Sequence, residues 1–210
     1  MAPGGSPLEV ARWSTAADGA PPVGLMQEGA LTLELVLRRL ETVGADLTVA
    51  SAYPSGVVHH SWGEIAARSR RLIAALDGLG LPVGARVATL AWNTHRHLEL
   101  FYAVPCSGRV LHTLNARGTA AQLVGQLERC GDTALFIDAS LSGLLADVRE
   151  QLPALAVVLA DGGEVAGPFA GAARYDDLIE AAAPVRELGP MSEQQALCIC
   201  HTSGTTGAAR

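Results

Sequence analysis

The sequence predicts an α/β fold, with a mostly parallel β-sheet flanked by helices on both faces and a β-hairpin near its start. Short apolar runs that suit buried strands alternate with segments of helical periodicity, as in successive βαβ units. Of the 210 residues, 49% are hydrophobic and only 17% are charged, so a folded chain with a proper core is expected. This length accommodates one domain, or one domain and part of the next.

The first elements follow a segment without sustained periodicity. Residues 1–24 are rich in Gly, Pro and Ala and are predicted to form a flexible arm, which leaves residues 25–210 as the folded unit. Apolar residues at helical spacing predict a helix over Leu31–Leu40. Two β-rich runs, Leu47–Tyr53 and Val57–Ser61, surround a Pro-Ser-Gly turn and predict the hairpin.

Two helix starts have the spacing of a capping box. In this motif the N-cap side chain and the side chain three residues later each satisfy the other's backbone N–H group. Ser61 and Glu64 have this spacing, and the helix that follows keeps its apolar residues on one face. Thr119 and Gln122 repeat it before a helix that reaches Cys130.

The remaining elements are assigned from apolar runs and from the residues that begin or end them. The predicted strands are Arg86–Trp92, Val110–Thr113, Thr133–Ile137, Leu155–Leu159 and Ala196–Cys200. The predicted helices begin at Asn93-Thr94 and end near Tyr102, run from Ser140 to Gln151, and cover Tyr175–Ala182. Trp62 and Trp92 are expected in the core, and Arg68, Arg70 and Arg71 on a solvated helix face.

The charge and the hydropathy pattern exclude several classes of function. The net charge is −6 and Lys is absent, so all fifteen basic residues are Arg. A nucleic-acid partner is not expected, because no basic face could neutralise many phosphates. No apolar run approaches the roughly 20 residues of a membrane span, and the N-terminus lacks the pattern of a secretory signal. We therefore expect a cytoplasmic protein.

The strongest chemical signal is a Gly/Thr/Ser loop that directly follows the last predicted strand. Its glycines let the backbone approach an anion closely, and successive N–H groups in such a turn form a nest for phosphate oxygens. Its hydroxyls can reach a magnesium ion, and Arg210 adds a positive charge. On residue types alone an ordinary surface loop is the more frequent interpretation. The mononucleotide P-loop is not matched, since only two residues separate Gly204 from Gly207.

The loop Thr202-Ser203-Gly204-Thr205-Thr206-Gly207 is identical to the core of the phosphate-loop motif of adenylate-forming enzymes. These are acyl-CoA synthetases, luciferases and peptide-synthetase adenylation domains. Ser61-Trp62-Gly63-Glu64 and Leu81–Ala88 also resemble segments of this family. The segment Trp92–Asn115 looks most like bacterial medium- and long-chain fatty-acyl-CoA synthetases. The resemblance covers residues from about 25 to 210 and favours phosphate binding by the loop.

This resemblance implies the N-terminal subdomain of an enzyme that works in two steps. A fatty acid carboxylate attacks the α-phosphate of ATP to give an acyl-adenylate and pyrophosphate, and the thiolate of coenzyme A then displaces AMP. The loop would hold the β- and γ-phosphates while Mg²⁺ offsets their charge. By motif position, the phosphate contacts would be Thr202, Ser203, Gly204, Thr205, Thr206, Gly207 and Arg210. The hydroxyl of Thr202 would lie near the metal.

Three positions depart from the family pattern. Arg210 stands where the family has Lys, and Ala209 where it has Pro. A guanidinium keeps the charge but presents a planar fork instead of a compact ammonium group. In a chain without Lys, this Arg also fits a compositional bias. The third departure is Ala116, which replaces a Pro and is expected to loosen a turn.

The family's adenine pocket, acidic magnesium ligand, acyl tunnel and C-terminal domain have no counterpart in these 210 residues. We therefore expect the chain alone to be inactive and to bind ATP weakly. One alternative is a non-catalytic remnant or a homodimerisation module of such an enzyme. Another is an adenylation domain for a different carboxylic acid, although the segment Trp92–Asn115 disfavours an amino acid.

Three patterns of cysteine and histidine resemble fragments of metal sites, but none supplies a complete ligand set. Cys198-x-Cys200 followed by His201 lacks a second ligand pair nearby, so buried structural cysteines are expected. His59-His60 and His95-x-His97 fall on different faces of their elements, so neither predicts a ligand pair. His112, on a short strand, is expected to be a satisfied core or rim histidine.

Overall fold

The computed structural model describes residues 29–160, 165 and 167–201. The arm predicted over residues 1–24 lies outside the described residues, so it stays a prediction. The described part begins with helix α1 (Leu33–Thr42). It continues into an antiparallel hairpin of β1 (Thr48–Tyr53) and β2 (Gly56–Ser61), in which Tyr53 lies opposite Gly56. The predicted hairpin is therefore confirmed.

A six-stranded sheet forms the centre of the described chain, in the order β7-β6-β5-β3-β4-β8 with every pair parallel. Its strands are β3 (Arg86–Leu90), β4 (Val110–Thr113), β5 (Ala134–Ile137), β6 (Ala156–Leu159), β7 (Ala173–Arg174) and β8 (Cys198–Cys200). Five of them match predicted strands. The sixth, β7, has only two residues and therefore carries no readable periodicity.

Helices cover both faces of this sheet, as predicted. The other helices are α2 (Trp62–Gly78), α3 (His95–Cys106), α4 (Ala120–Cys130), α5 (Gly143–Ala146) and α6 (Tyr175–Ala181). Strand side chains alternate between two cores. Val87 and Phe136 pack with α1, α2, α3 and α6, whereas Leu90 and Ile137 pack with α4 and α5. Among the described residues, no helix has the length and apolarity that a membrane span requires.

The helix predicted from Ser140 to Gln151 is wrong as a continuous element. The chain instead forms a 3₁₀ turn at Ala139–Leu141, the single turn α5, and a second 3₁₀ turn at Arg149–Gln151. The Ser142 hydroxyl donates to the carbonyl of Ala139 at 2.7 Å, a local bond that competes with helical pairing. Gly143, a weak helix former, follows directly.

Helix α3 also differs from its prediction, because it continues past Tyr102 to Cys106 with Pro105 in its last turn. Proline removes one backbone donor, and its fixed φ is compatible with a helix. The N–H group of Ser107 still donates to the carbonyl of Ala103 at 3.1 Å. One missing bond near a helix end is therefore tolerated.

Both predicted capping boxes are present, and the first supplies a test. The Ser61 hydroxyl accepts from the N–H of Glu64 at 3.1 Å, and the Glu64 carboxylate accepts from the N–H of Ser61 at 2.7 Å.

We expect Ser61→Ala to lower the free energy of unfolding by about 1 kcal/mol, because the start of α2 loses an acceptor. Urea denaturation measures this. Thr32→Ala is the matched control, since Thr32 caps α1 without a side-chain hydrogen bond; an equal loss there would contradict the assignment.

Candidate functional site

The carboxyl ends of β3, β4, β5 and β8 lie at one edge of the parallel sheet, which is where such sheets bind ligands. β8 pairs with β4, with Leu111 opposite Cys198 and Thr113 opposite Cys200. The strand predicted to lead into the Gly/Thr/Ser loop is therefore confirmed, and it points toward this edge. The predicted phosphate contacts lie outside the described residues: Thr202, Ser203, Gly204, Thr205, Thr206, Gly207 and Arg210. Their roles stay predictions.

The turn that follows β4 lies at the same edge. The Asn115 side-chain oxygen accepts from the N–H of Arg117 at 2.9 Å. The Asn115 carbonyl accepts from the N–H of Gly118 at 2.8 Å. These two bonds close the turn although Ala116 replaces the family's proline. The loosening expected from Ala116 stays a prediction.

Trp92, two residues after the end of β3, is 53% exposed, so its prediction as a core residue is wrong. Its backbone N–H donates to the Asp138 carboxylate at 2.6 Å. Its indole N–H donates to the Ser140 hydroxyl at 3.1 Å. Because Asp138 follows β5, these bonds connect the ends of two neighbouring strands. Trp62 is partly buried and meets Tyr102 edge to face, with ring centroids 6.4 Å apart.

An ionic network around the buried carboxylate of Glu99 joins three helices, and the sequence did not indicate it. Glu99 is 0% exposed and accepts from the Arg68 guanidinium at 2.7 Å and from the Tyr175 hydroxyl at 2.6 Å. Asp176 accepts from Arg68 and from Arg96, each at 2.8 Å. Burial raises the pKa of Glu99, and Arg68 partly opposes that rise. Arg68 therefore holds α2, α3 and α6 together.

The expected solvated face of Arg68, Arg70 and Arg71 is wrong as a whole. Arg70 pairs with Glu41 on α1 and donates to the carbonyl of Val185 at 3.2 Å. Arg71 donates to the carbonyl of Ala182 at 2.7 Å. These partners are distant in the sequence, and a local pattern of three Arg residues gives no sign of them.

Two histidine rings, one on hairpin strand β2 and one on α3, contact each other at a tilt of 38°. The rings of His60 and His95 have centroids 4.1 Å apart, and His95 Nδ1 hydrogen-bonds the Tyr53 hydroxyl at 3.1 Å. His95 is buried, and burial together with the nearby charges of His60, Arg96 and Arg68 lowers its pKa to about 3. Burial also lowers the pKa of His60. The two rings thus favour the neutral form.

This pair makes stability depend on pH. In the unfolded chain His95 titrates near pH 6.5, so between pH 6.5 and 3 the unfolded state binds more protons. Stability is fully present above about pH 6.5 and falls by up to about 1.4 kcal/mol per pH unit as the pH decreases. We expect His95→Gln to flatten this dependence in urea denaturation at several pH values. His59→Gln, at an exposed position, is the control; equal flattening in both variants would contradict the assignment.

The cysteine prediction is only partly correct. Cys106 is buried as expected, and burial raises the pKa of its thiol to about 12. Cys198 and Cys200 are exposed, so their prediction as buried structural residues is wrong. They pair with Leu111 and Thr113 and share their face of the sheet, whereas His201 falls on the other face. Cys198-x-Cys200-His201 therefore cannot converge on one metal ion.

His112 is a satisfied core histidine, as predicted. It is fully buried on β4, and its Nδ1 lies 2.7 Å from the Asp132 carboxylate, which is also fully buried. Its Nε2 lies 3.1 Å from Nδ1 of His201, the residue just before the predicted phosphate loop. His201, the last described residue, therefore contacts a buried histidine of the sheet.

Comparison with known proteins gives a consistent result. The family model described as "AMP-binding enzyme" matches residues 42–209. The 3-methylmercaptopropionyl-CoA ligase of Ruegeria lacuscaerulensis is 42% identical over 72% of this chain and 29% of its own length. The long-chain-fatty-acid–CoA ligase of Thermus thermophilus is 35% identical over 87% of this chain and 33% of its own length. The chain spans about a third of the length of the curated relatives it matches.

A solved structure shares the fold. The anthranilate CoA ligase AuaEII, solved in complex with anthranoyl-AMP, superimposes with a TM-score of 0.74 and 21% identity. The superposition covers 86% of this chain and 34% of that protein. At 21% identity this similarity shows the fold alone, and the shared fold agrees with the order of strands and helices described above.

Proposed function

This chain belongs to the AMP-binding enzyme family, and from that premise we propose that it forms the N-terminal part of an ATP-dependent fatty acid–CoA ligase. The observation that carries the proposal is the match of residues 42–209 to the family. It is supported by the identity of the Thr202–Gly207 loop to the family's phosphate-loop motif and by β8, which leads into that loop.

In the proposed reaction the acid carboxylate attacks the α-phosphate of ATP, and pyrophosphate leaves. The thiolate of coenzyme A then attacks the acyl-adenylate carbonyl, and AMP leaves. The loop's contribution is electrostatic and positional: backbone N–H groups and hydroxyls hold the β- and γ-phosphates. Mg²⁺ would neutralise phosphate charge, with the Thr202 hydroxyl among its contacts and Arg210 supplying a fixed positive charge.

The acid is proposed to be aliphatic. One relative is named as a ligase of long-chain fatty acids and another of 3-methylmercaptopropionate, and the second is the more similar to this chain, at 42% against 35% identity. The segment Trp92–Asn115 favours a fatty acid through its family resemblance. A short thioether acid is the closest competitor, since both are unbranched chains with a carboxylate at one end.

A substrate panel tests the proposal. The complete gene product that contains residues 1–210 is incubated with ATP, Mg²⁺, coenzyme A and one acid at a time. The acids are octanoate, palmitate, 3-methylmercaptopropionate, benzoate and glycine, and thioester formation is measured by mass spectrometry. We expect a thioester with octanoate or palmitate. A thioester formed only with 3-methylmercaptopropionate would support the CoA-ligase activity but contradict the fatty acid substrate. The absence of a thioester with every acid would contradict the proposal.

We further propose that the 210 residues by themselves do not form an adenylate or bind ATP tightly. In the family, the adenine pocket and the acidic magnesium ligand belong to parts with no counterpart in this sequence. Isothermal titration of the purified chain with MgATP is expected to give no measurable binding at micromolar concentrations. A micromolar dissociation constant would overturn this expectation.

A further inference from the structure

Three potential metal ligands from separate elements converge on the face of the sheet that α4 covers. They are His112 on β4, Cys130 at the end of α4 and His201 after β8, and their ligand atoms all lie within 4.8 Å of one another. His112 Nε2 is 3.1 Å from His201 Nδ1 and 3.9 Å from Cys130 Sγ. None of these contacts is used by the proposed ligase reaction.

Two of the three ligand separations lie near those of a tetrahedral transition-metal site, and the third, between Cys130 and His201, is within 4.8 Å. Bonds of about 2.0–2.1 Å to nitrogen and about 2.3 Å to sulfur separate tetrahedral ligand atoms by about 3.3–3.6 Å. The two observed separations from His112 differ from this range by a few tenths of an ångström, which side-chain rotation can supply. Two imidazoles and a thiol are ligands that suit Zn²⁺, whereas Mg²⁺ prefers oxygen. This cluster is therefore chemically distinct from the Mg²⁺ expected beside the phosphate loop.

His112 is oriented by a second residue, as ligating histidines usually are. Its Nδ1 lies 2.7 Å from the Asp132 carboxylate, and both side chains are fully buried. A carboxylate on one ring nitrogen fixes the proton there, so that the lone pair of Nε2 faces the cluster. The other carboxylate oxygen, Oδ1, is buried and has no partner among the described residues. A carboxylate in this position raises the basicity of a metal-bound imidazole.

The backbone holds the three ligands in place before any ion arrives. Helix α4 ends after Cys130 because Gly131 takes the left-handed conformation, with φ of 60°, and the N–H of Asp132 then donates to the carbonyl of Leu127 at 3.1 Å. In the β4–β8 register His112 lies opposite Ile199, so His201, two residues on, shares its face.

We propose that His112, Cys130 and His201 bind one Zn²⁺ ion, with a water molecule in the fourth position. The ion joins the end of β8 to α4 and β4. Because His201 directly precedes Thr202, a bound ion fixes the residue from which the predicted phosphate loop starts. The site does not depend on the proposed ligase activity, since it consists only of groups that the described chain brings together.

Cobalt substitution tests the site without any activity assay. Metal-free purified chain is titrated with Co²⁺, and the expected result is a 1:1 complex with a thiolate-to-cobalt charge-transfer band and the visible bands of tetrahedral Co²⁺. Cys130→Ser is expected to remove the charge-transfer band, and His201→Ala to weaken binding at least about tenfold. Zn²⁺ is expected to displace Co²⁺ and to raise the melting temperature of the parent chain.

Cys198→Ser is the matched control, because Cys198 lies on the opposite face of the sheet and should leave the spectrum unchanged. Cys130 is only partly buried, so its serine variant is expected to fold, which circular dichroism checks. Failure of the parent chain to form a 1:1 complex with a charge-transfer band would overturn the proposal. So would retention of the band in Cys130→Ser, or its loss in Cys198→Ser alone.

Discussion

Replacing Arg68 with Met is expected to lower the free energy of unfolding by about 3–5 kcal/mol, because it leaves a buried carboxylate without its cation. Glu99 is 0% exposed. Among the described residues, Arg68 is the only one that forms an ion pair with its carboxylate within 4 Å. The Tyr175 hydroxyl would remain as a hydrogen-bond donor but carries no charge. Asp176 would keep its contact with Arg96. Urea denaturation of the 210-residue chain measures the loss.

Two further variants separate this explanation from a general loss of packing. Arg38→Met removes an exposed pair with Glu34 within α1, and its expected cost is at most about 0.5 kcal/mol. Adding Glu99→Gln to Arg68→Met removes the buried charge, so the double variant should be more stable than Arg68→Met alone. A double variant as unstable as the sum of the two single changes would contradict the charge explanation.

Replacing Arg210 with Ala in the complete gene product is expected to slow adenylate formation by about 100-fold. In the proposed function Arg210 supplies a positive charge to the bound phosphates, and the loss of one such electrostatic contact has about this effect. Arg210→Lys is expected to retain most of the rate, because the family carries Lys at this position and the charge is kept. Single-turnover release of pyrophosphate measures both.

Arg39→Ala, in an exposed position on α1, is the matched control for the loss of one Arg. Its rate should equal that of the parent protein. If Arg210→Ala also keeps the parent rate, Arg210 does not contact phosphate, and its presence reflects only the absence of Lys from this chain.

Much of the fold could be predicted because its signals are local. The capping boxes at Ser61 and Thr119 involve residues three apart, and the hairpin runs and buried strands have a regular period. The prediction over Ser140–Gln151 failed because it followed apolar spacing while Ser142 bonds its own backbone neighbour. Residue type alone predicts a core position for Trp92, but its indole N–H donates to the Ser140 hydroxyl at the sheet edge.

The site is less accessible to sequence reasoning, because its partners are distant in the chain. Arg68 meets Asp176 across 108 positions, and His112 meets His201 across 89. Only the fold could show that an Arg-rich helix is internal. The Cys198-x-Cys200-His201 pattern predicted buried structural cysteines and no metal site. It gives no sign that strand alternation places His201 on the face of His112, 89 positions away. The loop itself was recognised by family resemblance.

The proposed function is tested most directly by measuring acid-dependent exchange of labelled pyrophosphate into ATP. The complete gene product is incubated with ATP, Mg²⁺, labelled pyrophosphate and a fatty acid, in the absence of coenzyme A. Reversible formation of an acyl-adenylate predicts label in ATP only when the acid is present. No exchange with any carboxylic acid, or activation that releases ADP and phosphate instead of AMP and pyrophosphate, would contradict an adenylate-forming ligase.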